Sequence, residues 1–183
     1  AAFTFSAAGV SAANSVKVYI KDTESVTETI TGGSGDDTIY YTNGNQEAWG
    51  IADVINGGAG TDSIVVYVDG GNAIALANSG NGLTNVSYIE NMTFATTAGT
   101  SAVAITLADA NFVSVTGGSV NFASVAGAVT FDGDLENDSA LTITGGTGAD
   151  SLIGTDTVAA GDTISGGNSA DTIEGSKGGD TLT

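Results

Sequence analysis

Aspartates recur at a fixed place after paired glycines in this sequence, and that spacing could build a metal site. The stretches GGSGDDTIY from Gly32, GGAGTDSIV from Gly57 and GGTGADSLI from Gly145 each place an aspartate five residues after the first glycine. Glycine tolerates positive φ, so consecutive glycines let the backbone turn sharply and direct its carbonyl oxygens inward. A carboxylate on the same concave side would complete a cage of oxygen ligands, which suits Ca²⁺.

The charge balance limits the possible partners. The 183-residue chain carries a formal net charge of -18, with 21 acidic residues against three lysines and no arginine. Nucleic acid requires clustered basic residues and an anionic membrane repels such a chain, so we expect no nucleic-acid partner and no direct membrane insertion. Histidine and cysteine are absent, which excludes disulfides, His-based triads and zinc sites with nitrogen or sulfur ligands. The remaining ligands are oxygens, and these favour hard cations such as calcium or magnesium.

Short strands separated by glycine turns must position these acids. The chain contains no proline, and glycine, alanine, serine and threonine dominate it, which favours an all-β fold over helices. Each acid is followed by a strand pattern of about three residues whose central apolar side chain should face inward. The residues in that central position are Ile39, Ile64, Leu152, Ile164, Ile173 and Leu182.

The repeats should coil and stack. Two repeats close a coil of about 18 residues, and loops in successive coils lie about 4.8 Å apart. Stacked carboxylates repel each other at that distance, and a calcium ion between them would convert the repulsion into attraction. The loops at Gly32 and Gly57 begin 25 residues apart, and those at Gly145 and Gly166 begin 21 apart. The predicted 18-residue coil therefore needs extra residues in two places, first within residues 41–56 on the opposite edge of the coil.

Each predicted ion is shared by two aspartates from successive coils. The alternative at each position is a solvated turn aspartate, but the recurrence of the whole motif favours calcium. The predicted pairs are Asp37 with Asp62, Asp150 with Asp171 and, on the other edge, Asp162 with Asp180. With the loop glycines, the predicted metal-site residues are Gly32, Gly33, Gly35, Asp37, Gly57, Gly58, Gly60, Asp62, Gly145, Gly146, Gly148, Asp150, Asp162, Gly166, Gly167, Asp171 and Asp180.

The three full stretches match the nonapeptide GGxGxDxUx, in which U is a large apolar residue, so the chain resembles the RTX family of secreted bacterial proteins. GGNSADTIE departs from the motif at Ser169, and GSKGGDTLT from Gly175 departs at its second position. The resemblance implies a parallel β-roll or β-solenoid with calcium-binding turns, export through a type I system and folding outside the cell. The run from 100 to 144 resembles the β-solenoid portions of RTX-bearing surface-layer proteins.

The motif divides the chain into four segments. Residues 1–31 should form N-terminal β-strands, 32–69 a first RTX segment, 70–144 a β-solenoid region without the motif, and 145–183 a second RTX array. The sequence begins AAFTF and stops in mid-pattern at GGDTLT, so we expect it to be a piece of a longer protein.

Three further features each allow two interpretations. Asp53 keeps the D-x-U register and could be a ligand or a solvated turn residue. The acidic stretch FDGDLENDS, residues 131–139, resembles half an EF-hand loop without its terminal glutamate, which favours a solvated loop over an extra calcium contact. Tyr40, Tyr41 and Trp49 could cover an edge of the core or contact a partner or a sugar.

These features predict a structural role and no enzyme activity. Nearly every acid lies in a turn that a metal explains, and no cleft is marked for the two carboxylates of a glycosidase. We expect a calcium-stabilised segment of a secreted bacterial cell-surface assembly protein, a surface-layer or matrix-fibre subunit, that self-assembles into a homo-oligomeric lattice or filament when calcium binds. The alternative is a calcium-binding accessory module of a secreted RTX hydrolase, or an adhesin or ice-binding repeat.

Overall fold

The protein is a stack of parallel β-strands. The computed structural model describes residues 2–20, 27–44, 53–68, 74–76, 83–96, 99–113 and 117–183. Within these ranges the strands are β1 (Ala2–Ser6), β2 (Lys17–Ile20), β3 (Thr27–Thr31), β4 (Thr38–Gly44), β5 (Val54–Asn56), β6 (Ser63–Val68), β7 (Ile74–Leu76), β8 (Val86–Ser87), β9 (Asn91–Thr96), β10 (Val103–Thr106), β11 (Gly118–Ser124), β12 (Val129–Asp132), β13 (Leu141–Thr144), β14 (Ser151–Ile153), β15 (Thr163–Ser165), β16 (Thr172–Glu174) and β17 (Thr181–Leu182).

Three parallel sheets run along the stack. The long sheet has eight strands in the order β17-β15-β13-β11-β9-β6-β4-β2. The N-terminal side sheet has the order β1-β3-β5-β8, and the C-terminal side sheet has the order β16-β14-β12-β10-β7. Because the chain returns to the long sheet once per coil, the predicted all-β solenoid is confirmed. The long sheet also crosses all three boundaries of the sequence-based division, since β2 pairs with β4, β6 with β9 and β13 with β15.

An apolar ladder in the long sheet forms the core. Alternate residues of inner strands such as β9 and β13 point inward, and the inward residues of successive strands lie directly opposite one another. This ladder of buried side chains comprises Ile39, Ile64, Met92, Val120, Ile143 and Ile164. Phe122 packs between Phe94 and Phe131, with ring centroids 5.1 Å and 5.8 Å away, and joins the long sheet to the C-terminal side sheet.

The predicted inward residues are most exposed at the C-terminal end of the stack. Ile39, Ile64, Leu152 and Ile164 are buried, and Ile173 packs partly against the core. Leu182, by contrast, is 47% exposed. It lies in β17 at the edge of the long sheet, directly opposite Ile164 of β15.

Residues 86–94 contain a sharp turn. The stretch VSYIENMTF divides into β8 and β9, which belong to different sheets. Tyr88 makes the turn between them with a φ of 56°, a left-handed conformation that is uncommon outside glycine. The described residues contain no helix with the length and apolar character needed to cross a membrane.

Candidate metal centre

The first two glycine loops lie one on top of the other. Gly32 donates its N–H to the carbonyl of Asn56 at 2.8 Å, and Ala59 donates to the carbonyl of Gly33 at 3.1 Å. Ser63 closes the stack by donating to the carbonyl of Asp37 at 2.9 Å. The predicted stacking of the loops 32–37 and 57–62 is therefore confirmed. The seven-residue insertion that was placed in residues 41–56 falls largely outside the described residues.

Glycine is required in these loops because successive coils approach too closely for a side chain. A Cβ added at Gly32 would collide with the carbonyl oxygen of Gly57 and with Asp37 Oδ2. Gly58 has a φ of +107°, which other residues rarely adopt, and a Cβ there would meet the carbonyl oxygen of Gly33. The backbone oxygens of adjacent loops are thus brought close together beside the aspartates.

A row of carboxylates follows the edge where the chain enters the long sheet. Asp37 Oδ1 accepts the N–H of Val16 at 2.7 Å, and Asp62 Oδ1 accepts the N–H of Asp37 at 2.7 Å. Glu90 Oε2 continues the series by accepting the N–H of Asp62 at 2.5 Å. We call this set the long-sheet row; in register along the stack it comprises Val16, Asp37, Asp62, Glu90, Gly118, Leu141, Asp162 and Asp180.

Two further acids of the long-sheet row lie near the C-terminal end of the stack. Asp162 Oδ1 accepts the N–H of Leu141 at 2.7 Å, and Asp180 Oδ1 accepts the N–H of Asp162 at 2.8 Å. Asp162 Oδ2 also accepts the N–H of Thr155 at 2.6 Å. The predicted pair therefore lies in successive coils, with the uncharged Gly118 and Leu141 separating it from the first three acids.

A second row occupies the opposite edge, where the chain leaves the long sheet for the C-terminal side sheet. Asp150 Oδ1 accepts the N–H of Val129 at 2.8 Å, and Asp171 Oδ1 accepts the N–H of Asp150 at 2.9 Å. The loops stack as well, because Gly145 donates its N–H to the carbonyl of Ser165 at 2.7 Å. Asp150 and Asp171 are thus adjacent, on the edge opposite Asp162 and Asp180.

The family comparison matches these loops. The RTX calcium-binding nonapeptide repeat aligns in four copies with residues 28–45, 52–72 and 144–182. The chain carries RTX calcium-binding nonapeptide repeats. Such repeats are typical of secreted bacterial proteins, and they imply that the chain binds calcium. No significant match is found among curated proteins or solved structures.

The matched ranges include all seventeen predicted metal-site residues. The structure brings the RTX aspartates together in adjacent pairs, although the ion between each pair stays a prediction. Within the described residues no three carboxylates converge on one point. An ion held between two RTX loops would therefore draw on backbone carbonyls as well as on aspartate, because Ca²⁺ takes about six to eight oxygen ligands of both kinds.

The electrostatics of the RTX aspartates favour a cation. Asp62 is 1% exposed, and burial raises its pKa to about 6, with further contributions from the charges of Glu90 and Asp37. Burial likewise raises the pKa of Asp162, with a contribution from the charge of Asp180. The ion pair between Lys177 and Asp156 involves neither of these acids.

The surroundings of Asp62 Oδ2 are consistent with a bound cation. This buried oxygen has no hydrogen-bond partner. In the loops 32–37 and 145–150 the corresponding oxygens of Asp37 and Asp150 accept the N–H of Gly33 and Gly146, each at 2.6 Å. A buried carboxylate oxygen without a donor costs free energy unless a proton or a cation occupies its place.

Glu90 was missed by the sequence-based prediction. It lies outside the matched RTX ranges and follows no glycine pair. The signal was nevertheless present, because ENMT places an acid two residues before the buried Met92, as the RTX aspartates precede their buried apolar residues.

The acidic stretch 131–139 is not the solvated loop that the sequence favoured. Asp134 and Asp138 are exposed, but Glu136 is fully buried, and its Oε1 accepts the N–H groups of Asp138 and Ser139 at 3.2 Å and 3.1 Å. Burial and the nearby Asp138 raise the pKa of Glu136 to about 8. The carboxylates do not converge, since Asp134 Oδ1 instead accepts the hydroxyl of Ser176 at 2.7 Å.

The remaining candidates differ in their surroundings, and the role of Asp53 as a ligand stays a prediction. Asp53 is completely buried, and its Oδ1 accepts the N–H of Glu28 at 2.9 Å in the N-terminal side sheet. Tyr41 is buried, and burial raises its pKa well above the usual value. Tyr40 stacks on Tyr19 with ring centroids 4.6 Å apart. Trp49 lies outside the described residues.

Proposed function

We propose that this chain is a calcium-stabilised structural segment of a secreted bacterial cell-surface assembly protein. Calcium ions bind between the stacked RTX loops, and binding drives the coil to fold. The observation that carries this proposal is the long-sheet row, in which the carboxylates of Asp37, Asp62 and Glu90 follow one another in successive coils, and Asp37 and Asp62 are buried. Each Ca²⁺ cancels two negative charges in a chain of net charge -18 and so relieves the repulsion that opposes compaction.

The segment without RTX motifs supports a structural role. Its strands β9 and β11 continue the long sheet between the two RTX arrays, so one continuous sheet joins them. A module that only bound calcium would need the nonapeptides alone. In this proposal the chain carries no catalytic site, and calcium joins subunits into a lattice or filament.

Calcium-dependent assembly is the test of this function. Light scattering and electron microscopy should show ordered assemblies of the chain in 10 mM Ca²⁺, but not in chelator or in 10 mM Mg²⁺. The calcium concentration is about tenfold or more above the dissociation constants of extracellular calcium modules, roughly 10⁻⁴–10⁻³ M. A folded monomer in calcium would contradict the assembly role. That result would favour the alternative, an accessory module of a secreted RTX hydrolase or adhesin.

A further inference from the structure

A short turn in the next coil lies beside the second RTX loop. The loop 57–62 faces the turn at Tyr88–Glu90, which we call the capping turn. Gly57 donates its N–H to the carbonyl of Ser87 at 3.1 Å, and Glu90 donates its N–H to the carbonyl of Asp62 at 3.0 Å. A Cβ added at Gly57 would collide with the carbonyl oxygen of Tyr88. The capping turn therefore lies as close to loop 57–62 as a neighbouring RTX loop would.

Glu90 occupies the aspartate position of that missing loop. It precedes β9 as Asp62 precedes β6, and its Oε2 lies 2.5 Å from the N–H of Asp62. The extra methylene of glutamate compensates for the shorter backbone of the capping turn. An acidic side chain is thus retained at a point where the glycine motif is lost.

One carboxylate oxygen of Asp62, in loop 57–62, lacks a hydrogen-bond partner. Asp62 is 1% exposed and its Oδ1 accepts one N–H, from Asp37, while its buried Oδ2 has no partner. Gly58 adopts a φ of +107° in this loop, and no hydrogen bond joins its N–H to Asp62 in the way that Gly33 bonds to Asp37. Burial raises the pKa of Asp62, and the charge of Glu90 adds to this rise.

We propose that Asp62 and Glu90 bind a Ca²⁺ ion between loop 57–62 and the capping turn, beyond the end of the matched RTX repeats. The ion takes the place opposite Asp62 Oδ2, and the backbone carbonyls of the two turns complete its oxygen ligands. This inference rests on the proposed calcium binding by the RTX loops and adds a site that the nonapeptide motif does not predict.

Calcium titration by calorimetry tests the site on the whole chain. Glu90→Gln keeps an oxygen that can accept the N–H of Asp62 but removes the charge. We expect this variant to bind one ion fewer than the wild-type chain, or to bind that ion at least tenfold more weakly. Glu174→Gln is the matched control, because Glu174 is exposed in β16, and it should bind calcium like the wild type.

The outcomes separate this site from the proposed function. If the wild-type chain binds no calcium, the proposed function fails together with the inference. If the wild type binds calcium and Glu90→Gln has the same stoichiometry and affinities, only the inference is overturned. Should Glu90→Gln not fold, Glu90→Asp makes the test, because it keeps the charge but removes the methylene that lets the carboxylate reach the N–H of Asp62. An unchanged stoichiometry and unchanged affinities in Glu90→Asp would then refute the site.

Discussion

Replacing Asp37 with alanine should raise the calcium concentration at which the chain folds. The carboxylate accepts the N–H of Val16 at 2.7 Å and that of Gly33 at 2.6 Å, and it is 3% exposed. Its removal leaves two poorly solvated donors without partners, at about 1–3 kcal/mol each. A total near 3 kcal/mol is therefore expected before any loss of metal binding.

The shift of the midpoint follows from the coupling of folding to binding. Suppose that folding takes up about four ions. Raising the calcium concentration then stabilises the folded chain by RT times the logarithm of the concentration ratio for each ion, so a loss of about 3 kcal/mol raises the calcium midpoint roughly fourfold. Losing the ion shared with Asp62 adds about 1.4–2.7 kcal/mol at 10 mM calcium, for an affinity of about 10⁻³–10⁻⁴ M. Far-UV circular dichroism during a calcium titration measures the midpoint.

Asp132→Ala is the matched control for this titration. Asp132 is half-buried, and its Oδ1 accepts only the N–H of Asp134, at 3.2 Å. The loss of one weak, exposed hydrogen bond should move the midpoint by less than about 1.5-fold. Equal midpoints for Asp37→Ala and Asp132→Ala would refute the assignment of Asp37 to a buried calcium-binding row.

Three other changes have defined outcomes in urea denaturation at 10 mM calcium. A raised pKa means that folded Glu136 holds its proton more tightly than the unfolded chain does, so its contribution to stability is complete below about pH 4.5 and is lost as the pH rises to about 8. Glu136→Gln should therefore gain stability over the wild type as the pH rises, by about 1.4 kcal/mol per pH unit at most, and parallel pH profiles would contradict this. Gly32→Ala should cost about 1–3 kcal/mol, because its Cβ meets a carbonyl oxygen of the next coil, whereas Gly9→Ala has open space and should cost under about 0.5 kcal/mol; similar values would argue against close stacking. Phe122→Ala should cost about 3–5 kcal/mol and Phe3→Ala, at 47% exposure, much less; a small effect at Phe122 would be inconsistent with the core described above.

The regular part of this fold could be predicted from the sequence, because the residue types within each nonapeptide determine its turn and its strand. Glycines permit the close approach of coils, and the apolar residue two places after each aspartate sets the strand register, as at Ile39 and Ile64. The spacing between repeats then determines which loops stack, even with an insertion. The structure of such a motif can be predicted because it depends on residues that are close together in the sequence.

The features that the sequence did not predict depend on residues far away in the chain. Glu136 is buried by contacts such as the one between Ser139 Oγ and the carbonyl of Phe112, which no local pattern in an acidic stretch indicates. Glu90 was missed because the shortened turn before it lacks glycine, although its place in the long-sheet row is set by pairing with β6. Leu182 has the motif but lies at a sheet edge, so its exposure depends on its position in the stack.

The most direct measurement is a crystal structure of the chain grown in 10 mM Ca²⁺, with an anomalous difference map to locate the ions. Calcium bound between stacked loops predicts peaks about 2.3–2.6 Å from carboxylate oxygens of the paired aspartates, with carbonyl oxygens around each peak. The pairs to inspect are Asp37 with Asp62, Asp150 with Asp171 and Asp162 with Asp180. A well-ordered map with water or no density at all three pairs would contradict the claim that calcium holds these coils together.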